Sequence, residues 1–311
     1  MSDECIIVSD LRKSYGRTEA VAGVSFEVGY KSIFGFLGPN GAGKTTTIKV
    51  LTTLVPPTSG SVQIFGLDSV RHSKEIRRRI GAVLQEPSYE ANLTVERALD
   101  LYGRLWKMPA ERRKDRAREL IERFDLSEIR GTKNDELSIG QRRRVQVARE
   151  FMHEMDLLFL DEPTVGLDPA ARRTLLDYVK KRVAAGLTVF FTTHIMEEAE
   201  YICDEIAIIN QGRIIATDTP AGLKQKYGGL NTIEIRIKEG YVERAPKVLD
   251  GILAGQKMEI DNNTIVIHSA GAQELLVRAI DVLSANSIPI ESATVNPPSL
   301  EDVFIRIVQN K

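Results

Sequence analysis

Cysteine is scarce in this sequence, which holds two cysteines, Cys5 and Cys203, among 311 residues. Two isolated cysteines without a C-x-x-C spacing exclude a disulfide framework and a cysteine-based zinc site. They are typical of a protein that stays in a reducing compartment such as the cytoplasm.

The sequence also lacks an excess of basic residues. Its 42 Lys and Arg residues face 43 Asp and Glu residues, which leaves a formal net charge of −1 at pH 7. A dedicated nucleic-acid-binding domain carries a clear basic surplus. We therefore expect no nucleic-acid partner.

Long apolar runs are absent as well. A membrane-spanning helix needs about 18 or more consecutive apolar residues, whereas the best runs here, at residues 157–160 and 188–191, are far shorter. Near the N-terminus Asp3 and Glu4 stand where a signal peptide would carry lysines and a long apolar segment. We therefore expect a chain that does not cross the membrane itself.

What the sequence does contain is a regular alternation of strand and helix patterns. Apolar runs of buried-strand length, at residues 33–37, 157–160 and 187–192, are separated by helical stretches. One helical stretch covers residues 94–124, with a break expected at Pro109, and another covers residues 138–154. This alternation predicts a largely parallel α/β core.

A second, smaller domain is predicted near the C-terminus. Gly228-Gly229 indicates a linker, and the following patterns have the order β-α-β-β-α-β, which is typical of a small α+β, ferredoxin-like domain. The predicted domains are residues 1–228 and 229–311.

A glycine-rich loop follows the strand at residues 33–37. Residues 38–45, GPNGAGKT, match the pattern G-x-x-x-x-G-K-[ST] between a strand and a helix. In such a loop backbone N–H groups surround phosphate oxygens, and the helix N-terminus adds partial positive charge. Lys44 would reach the β- and γ-phosphates, and Thr45 would bind Mg²⁺. The residues expected to contact ATP are Gly38, Pro39, Asn40, Gly41, Ala42, Gly43, Lys44, Thr45 and Thr46.

Two acids end the apolar run at residues 157–160. Ligands of open α/β sheets bind at the carboxyl ends of the strands, which is where Asp161 and Glu162 lie. Asp161 would hold Mg²⁺, and Glu162 would orient or deprotonate an attacking water. An Asp-Glu pair alone could also be a helix cap, but together with the phosphate loop it indicates a nucleoside triphosphatase.

The segment Leu137-Ser138-Ile139-Gly140-Gln141 resembles the LSGGQ signature of the ATP-binding-cassette (ABC) family, with Ile139 in place of the first glycine. Ser138 is also a good helix N-cap, so a capped amphipathic helix is the structural alternative for this segment.

Four further positions resemble the same family in the expected order. Tyr15 resembles the aromatic on which adenine stacks, and Gln85 the glutamine of the loop that senses Mg²⁺ and the membrane partner. The segment Gly166-Leu167-Asp168 resembles the loop that crosses to the other subunit, and Asp168 is its acidic residue. His194 resembles the switch histidine that contacts the γ-phosphate. The structural alternatives are a turn aromatic for Tyr15, an exposed loop residue for Gln85, and a helix cap for Asp168.

The resemblance implies a P-loop NTPase core with an antiparallel β subdomain and a helical subdomain at about residues 88–154. It implies ATP and Mg²⁺ as cofactors and a head-to-tail dimer with a second copy or a paralogue, in which each ATP lies between one phosphate loop and the other signature. The implied catalytic residues are Glu162, His194, Gln85 and Lys44. The implied metal ligands are Thr45, Gln85 and Asp161. The residues implied to contact nucleotide from the signature side are Ser138, Gly140, Gln141 and Asp168.

The C-terminal segment, residues 297–304, resembles a motif of the daunorubicin-resistance and sodium-export types of exporter ATPase. Ser299 and Asp302 alternatively form a capping box. In that subfamily the permease is a separate integral-membrane chain, which implies a peripheral ATPase on the cytoplasmic face of the membrane that powers export.

Two other functions remain as alternatives. One is a soluble cassette ATPase of DNA repair, chromosomes or translation, although the coiled coils, zinc modules or second cassette usual in those proteins are missing. The other is a binding module that does not hydrolyse ATP, which the presence of Glu162 and His194 disfavours.

Overall fold

The computed structural model describes residues 4–86, 88–253 and 255–309. The chain forms two compact units, Met1–Pro220 and Ala221–Lys311, so the division falls a few residues before Gly228-Gly229. No described helix has both the length and the hydropathy that crossing a membrane requires.

The first unit combines strands and helices throughout. In chain order its elements are β1 (Glu4–Tyr15), β2 (Thr18–Gly29), β3 (Ile33–Leu37), α1 (Lys44–Leu51), β4 (Ser59–Ile64), β5 (Leu67–Asp68), α2 (Ser73–Arg77), β6 (Ile80–Val83), α3 (Val95–Leu105), α4 (Ala110–Arg123), a short 3-10 helix (Asn134–Glu136), α5 (Ile139–Glu150), β7 (Leu157–Asp161), α6 (Pro169–Ala184), β8 (Thr188–Thr192), α7 (Met196–Ile202), β9 (Glu205–Asn210) and β10 (Arg213–Asp218).

The central sheet of this unit has six strands in the order β10-β9-β3-β8-β7-β6. Its strands run parallel except β10, which is antiparallel to β9. Every residue of β3, β7 and β8 is buried, as expected for strands covered on both faces. The predicted parallel α/β core is therefore confirmed, and the carboxyl ends of these three strands meet at one edge of the sheet.

A second sheet packs against the first. Its strands are antiparallel throughout, in the order β2-β1-β4-β5. The two sheets share a core of phenylalanines whose ring centroids lie 5.4–5.9 Å apart. These rings belong to Phe26, Phe34, Phe36, Phe159 and Phe190.

Helices connect β6 to β7. The predicted break at Pro109 is confirmed, because α3 ends at Leu105 and Pro109 is the residue before α4. The helix predicted over residues 138–154 ends earlier, at Glu150, where the N–H groups of Phe151 and Met152 donate to the carbonyl oxygens of Ala148 and Arg149, respectively. Helix α2 was not predicted, since its five residues bury only Ile76 and leave no periodic pattern.

The chain from Ala221 onward is the second unit, which has a core of its own. Its elements are α8 (Pro220–Tyr227), β11 (Asn231–Ile237), α9 (Ala245–Leu253), β12 (Met258–Asp261), β13 (Thr264–Ser269), α10 (Ala272–Ala285), β14 (Ile290–Asn296) and α11 (Leu300–Gln309). The four strands form an antiparallel sheet in the order β12-β13-β11-β14. Ile233, Ile235 and Ile237 point into a core shared with α9 and α10. The predicted strand and helix order is confirmed, and α11 follows it.

Candidate functional site

The loop between β3 and α1 is tightly packed against its neighbours. Gly41 and Gly43 have φ angles of 80° and 108°, in the left-handed region that glycine adopts freely. A Cβ atom on Gly43 would lie 2.5 Å from the carbonyl oxygen of Ala20, and one on Gly38 would lie 2.3 Å from that of Ile209. The loop conformation therefore requires glycine at these positions.

Lys44, the first residue of α1, lies across the concave side of this loop. Its Nζ donates to the carbonyl oxygens of Gly38 at 2.7 Å and Pro39 at 3.3 Å, and lies 3.7 Å from Glu162 Oε1. Burial lowers the pKa of Lys44, while the charges of Glu162 and Asp161 oppose that shift. The ammonium group is thus held inside the loop where a phosphate chain would lie.

Asp161, at the end of β7, has both carboxylate oxygens engaged by hydroxyl groups. Thr45 Oγ1 donates to Oδ2 at 3.0 Å, and Thr192 Oγ1 donates to Oδ1 at 2.6 Å. Hydroxyl and carboxylate oxygens side by side are the hard ligands that Mg²⁺ accepts. Within the described residues no three His, Cys, Asp or Glu side chains form a metal-binding group. The donors therefore fit a Mg²⁺ that is held only partly by protein and completes its coordination with phosphates and water.

Glu162 lies in a strained turn directly after Asp161. Its φ is 48°, a conformation that costs a non-glycine residue about 1–3 kcal/mol. Its N–H donates to the carbonyl and hydroxyl oxygens of Thr192, both at 3.1 Å. The buried carboxylate lies 3.3 Å from Nδ1 of the half-exposed His194, with its other oxygen toward Lys44. The turn therefore aims Glu162 at the phosphate loop.

A cavity of about 410 Å³ opens at this edge of the sheet. The residues that line it are Ala20, Pro39, Asn40, Gly41, Gly43, Lys44, Thr45, Thr46, Gln85 and Glu162. Every one of them except Ala20 was predicted from the sequence to contact nucleotide, metal or water. Gly38 and Ala42 belong to the loop but do not line the cavity. Pro87, at the end of the segment that carries Gln85, lies outside the described residues.

Tyr15 does not line this cavity. It is the last residue of β1, 47% exposed, with the Lys13 ammonium 5.2 Å from its ring centroid. The structure thus leaves the predicted adenine-stacking ring open to solvent.

The signature residues lie at a different place on the first unit. A second cleft, of about 640 Å³, is lined by Ser138, Ile139, Gly140, Gln141 and the segment 166–168, together with neighbouring arginines. None of these residues lines the cavity of the phosphate loop. The structure therefore gathers Ser138, Gly140, Gln141 and Asp168 into one group and keeps that group apart from Lys44.

Helix caps account for part of this second group. Gln141 N–H donates to Ser138 Oγ at 3.2 Å, and Ser138 N–H donates to Gln141 Oε1 at 2.9 Å, which forms a capping box at α5. Asp168 caps α6 by accepting from Ala171 N–H at 2.9 Å, and this bond lowers its pKa. The structural alternatives for Ser138 and Asp168 are confirmed, and both caps leave the helix N-termini facing the cleft.

Ile139 does not fill the second cleft. Its side chain is 71% exposed. The next residue, Gly140, approaches the 166–168 segment so closely that a Cβ atom would lie 2.6 Å from the carbonyl oxygen of Gly166. The packing therefore requires glycine at position 140 but accepts a branched side chain at position 139.

Two charged residues near the site were missed by the sequence analysis. Arg143 on α5 is buried and donates to the backbone of Asp161 and Glu162. Glu198 on α7 is buried too. Its Oε2 accepts from Thr164 Oγ1 at 2.9 Å and Thr193 Oγ1 at 2.8 Å, so it joins the turns that follow β7 and β8. Neither belongs to a motif, and the single signal, their charge, is shared with many exposed residues.

Comparisons with known proteins agree with these observations. Residues 21–165 match a family model described as "ABC transporter". The chain is 36% identical over 308 residues to the daunorubicin resistance ATP-binding protein DrrA3 of Streptomyces coeruleorubidus, covering 99% of this chain and 96% of that protein. It is 35% identical to the Nod factor export ATP-binding protein I of Ralstonia nicotianae, covering 98% and 94%.

Solved structures give the same result over about seven tenths of the chain. An ATP-binding subunit of an ABC transporter superposes with a TM-score of 0.67 at 29% identity, covering 72% of this chain and 93% of that one. The ATP-binding cassette MJ0796, in a dimeric post-hydrolysis state with ADP and phosphate, superposes with a TM-score of 0.64 at 25% identity, covering 69% and 98%.

Proposed function

This chain belongs to the ABC transporter family of ATP-binding ATPases, and from that premise we propose a function. We propose that the chain hydrolyses ATP in the phosphate-loop cavity to power export through a separate membrane permease. The observation that carries the chemical part of this proposal is that Lys44, Thr45 and Glu162 line one cavity, with Asp161 directly behind it, hydrogen-bonded to Thr45.

The geometry suggests a role for each group. Lys44 and the loop N–H groups bind the β- and γ-phosphates, which replace the carbonyl oxygens that Lys44 now contacts. Glu162 orients a water molecule and takes its proton as the water oxygen bonds the γ-phosphorus and the bond to ADP breaks. His194, whose Nδ1 lies 3.3 Å from Glu162 Oε2, would face the transferred phosphoryl group.

Mg²⁺ is the expected metal at Thr45 and Asp161, with Gln85 beside it on the cavity wall. When bound, the ion would neutralise negative charge on the β- and γ-phosphate oxygens. Asp161 is already fixed by two hydroxyl groups, so its oxygens need little reorganisation to receive the ion.

Two copies of the chain, or one copy and a paralogue, would pair head to tail. Ser138, Gly140 and Asp168 would then contact the ATP bound by the opposite phosphate loop. The separation of the two clefts supports this arrangement, because a single chain leaves its signature facing outward. The N-terminus of α5 also provides the partial positive charge that attracts a phosphate, and a dimeric cassette is among the similar structures.

The transport role rests on the relatives. Those that align over nearly the whole chain carry names of drug resistance and Nod factor export. We place the chain at the cytoplasmic face of the membrane as a peripheral subunit. The second unit would be a ferredoxin-like accessory domain, which its strand order β12-β13-β11-β14 and its β-α-β-β-α-β sequence support.

Paired variants test this function. Glu162→Gln should bind Mg-ATP but lower the turnover number by about 10²–10⁴, the usual loss for a missing general base, and should accumulate as an ATP-bound dimer. Lys44→Ala should weaken ATP binding and form no such dimer. The measurements are ATPase kinetics and mass in solution with and without Mg-ATP.

Glu154→Gln is the matched control, because that carboxylate is 81% exposed and pairs with Arg182 at 3.4 Å. It should keep wild-type turnover. Full turnover in Glu162→Gln, or an ATP-dependent dimer in Lys44→Ala but not in Glu162→Gln, would contradict the assigned roles.

A further inference from the structure

Three consecutive arginines lie near the start of α5, and they point in different directions. Arg142 donates to the hydroxyl of Tyr89 at 2.9 Å, and Arg144 donates to the carbonyl and carboxylate oxygens of Asp125. Arg143 turns inward and is only 6% exposed. Its position toward the core follows from the rotation of about 100° per residue along a helix.

The guanidinium of Arg143 uses all of its donors. An arginine has five N–H groups, and this one makes five hydrogen bonds. Nε donates to Pro163 O at 3.1 Å, Nη2 to Asp161 O and Glu162 O at 2.7 Å each, and Nη1 to Leu84 O and Gln146 Oε1 at 2.8 Å each. Four acceptors are backbone carbonyls. The residue therefore fixes the position of the backbone rather than forming hydrogen bonds with a carboxylate.

Those carbonyls belong to the segments that carry the reacting groups. Asp161, Glu162 and Pro163 are consecutive, and their carbonyls converge on one side because Glu162 adopts the left-handed conformation. Leu84 immediately precedes Gln85, which lines the same cavity as Glu162. Burial lowers the pKa of Arg143 to about 10, which leaves the group charged at neutral pH.

The same helix begins at the signature. Ser138 caps α5, and Arg143 follows five positions later, within about 7.5 Å along the axis of a regular helix. A short helix moves as a rigid body, so a shift at its N-terminus must also shift the guanidinium. The carbonyls of the Glu162 turn would then have to follow or lose their donor.

We propose that Arg143 is a positioning residue that couples the two ATP sites of the dimer. ATP bound by one chain engages Ser138 and Gly140 of the partner chain. Helix α5 of the partner chain then holds the partner's own Glu162 in its hydrolytic position. This inference rests on the proposed head-to-tail dimer. It makes hydrolysis at each site depend on occupancy of the other.

The test compares full-length Arg143→Lys and Arg143→Met with wild type. Lysine keeps the charge but offers a single nitrogen that cannot reach five acceptors in a planar fork. Both variants should lower the turnover number by about 10²-fold, the cost of displacing a catalytic group by roughly 1 Å. The Hill coefficient for ATP hydrolysis should fall from above one to one, with little change in ATP binding measured by titration.

Arg116→Met is the matched control. Arg116 on α4 is also largely buried and donates to a backbone carbonyl just beyond α5, that of Phe151, at 2.9 Å. Its removal should lower the melting temperature but leave turnover and cooperativity unchanged. Arg143→Lys gives the decisive reading if Arg143→Met fails to fold.

Wild-type turnover and Hill coefficient in Arg143→Lys would overturn the inference, as would a non-cooperative wild type. Glu162→Gln, assayed in parallel, separates this failure from failure of the proposed function. If Glu162→Gln loses turnover and traps a dimer while Arg143→Lys is unchanged, only the coupling is wrong. If Glu162→Gln keeps full turnover, the proposed function itself is wrong.

Discussion

Single residues at this site carry buried charges whose hydrogen-bond partners are mostly neutral carbonyl and hydroxyl groups. Lys44 donates to two loop carbonyls, and Arg143 donates to four carbonyls and an amide oxygen. Glu198 accepts from two threonine hydroxyls and pairs with Arg172 at 3.2 Å. A buried charge is costly unless its hydrogen-bonding capacity is used. These contacts therefore keep charged groups ready beside a cavity that must receive a polyanion.

Glu150, the last residue of α5, is a buried carboxylate whose protonation should affect stability. Burial raises its pKa to about 7, well above the value of about 4.3 expected in the unfolded chain. Between these two values the folded chain holds a proton that the unfolded chain has lost. The contribution of Glu150 to the free energy of unfolding therefore decreases as the pH rises, and the loss is complete above the folded pKa.

Glu150→Gln should remove this dependence. We expect the free energy of unfolding of the variant to be about 1–3 kcal/mol higher than that of wild type at pH 8, and nearly equal to it at pH 4.5. Urea denaturation followed by the fluorescence of Trp106 measures this, since the single tryptophan lies on the first unit. Exposed Glu154→Gln should change neither value. An equal difference at both pH values would contradict the assignment.

The residues of the site divide into those that local sequence predicts and those that it cannot. Short local motifs predict the phosphate loop and the acids Asp161 and Glu162, because the residue types and their spacing indicate phosphate and metal binding. Arg143 stands between two other arginines, and it is distinguished only by the packing of α5 against β6, which brings it to the carbonyls of Leu84 and Glu162. Glu198 is similar, because its threonine partners are 34 and 5 residues away along the chain.

At the level of elements, unbroken apolar runs were the most informative patterns. The sequence predicts strands β3, β7 and β8 because each is buried on both faces and so contains a run of three or more apolar residues. The five-residue α2 had no such pattern. The end of α5 was placed too late, since apolar residues continue beyond Glu150 into a turn whose N–H groups still bond helix carbonyls.

Helix α11 gives a prediction about one element of the second unit. Ser299 Oγ accepts from Asp302 N–H at 3.1 Å, and Asp302 Oδ2 accepts from Ser299 N–H at 2.9 Å. Ser299→Ala removes the first bond and should lower the stability of the second unit by about 1 kcal/mol. Calorimetry should show a lower transition temperature for the second unit, while the unfolding of the first unit, followed by Trp106 fluorescence, should be unchanged. A shift in the unfolding of the first unit instead would contradict a local capping role.

The whole molecule divides its tasks between two units with separate cores. The first carries every residue assigned to ATP, and the second has its own sheet and helices. Within the first unit the phosphate-loop cavity and the signature cleft share no lining residue. In the proposed head-to-tail dimer, each chain would therefore supply two incomplete halves of a site rather than one complete site.

This division has a kinetic consequence. If neither half works alone, the ATPase rate per milligram of protein is not constant but should fall on dilution, approaching second-order dependence on chain concentration below the dimer dissociation constant. A dilution series assayed at saturating Mg-ATP measures it, and a flat rate per milligram would contradict it. Turnover would then begin with the association of two chains, so an isolated chain would hydrolyse no ATP. Two chains held next to each other by a permease would hydrolyse ATP without this association step.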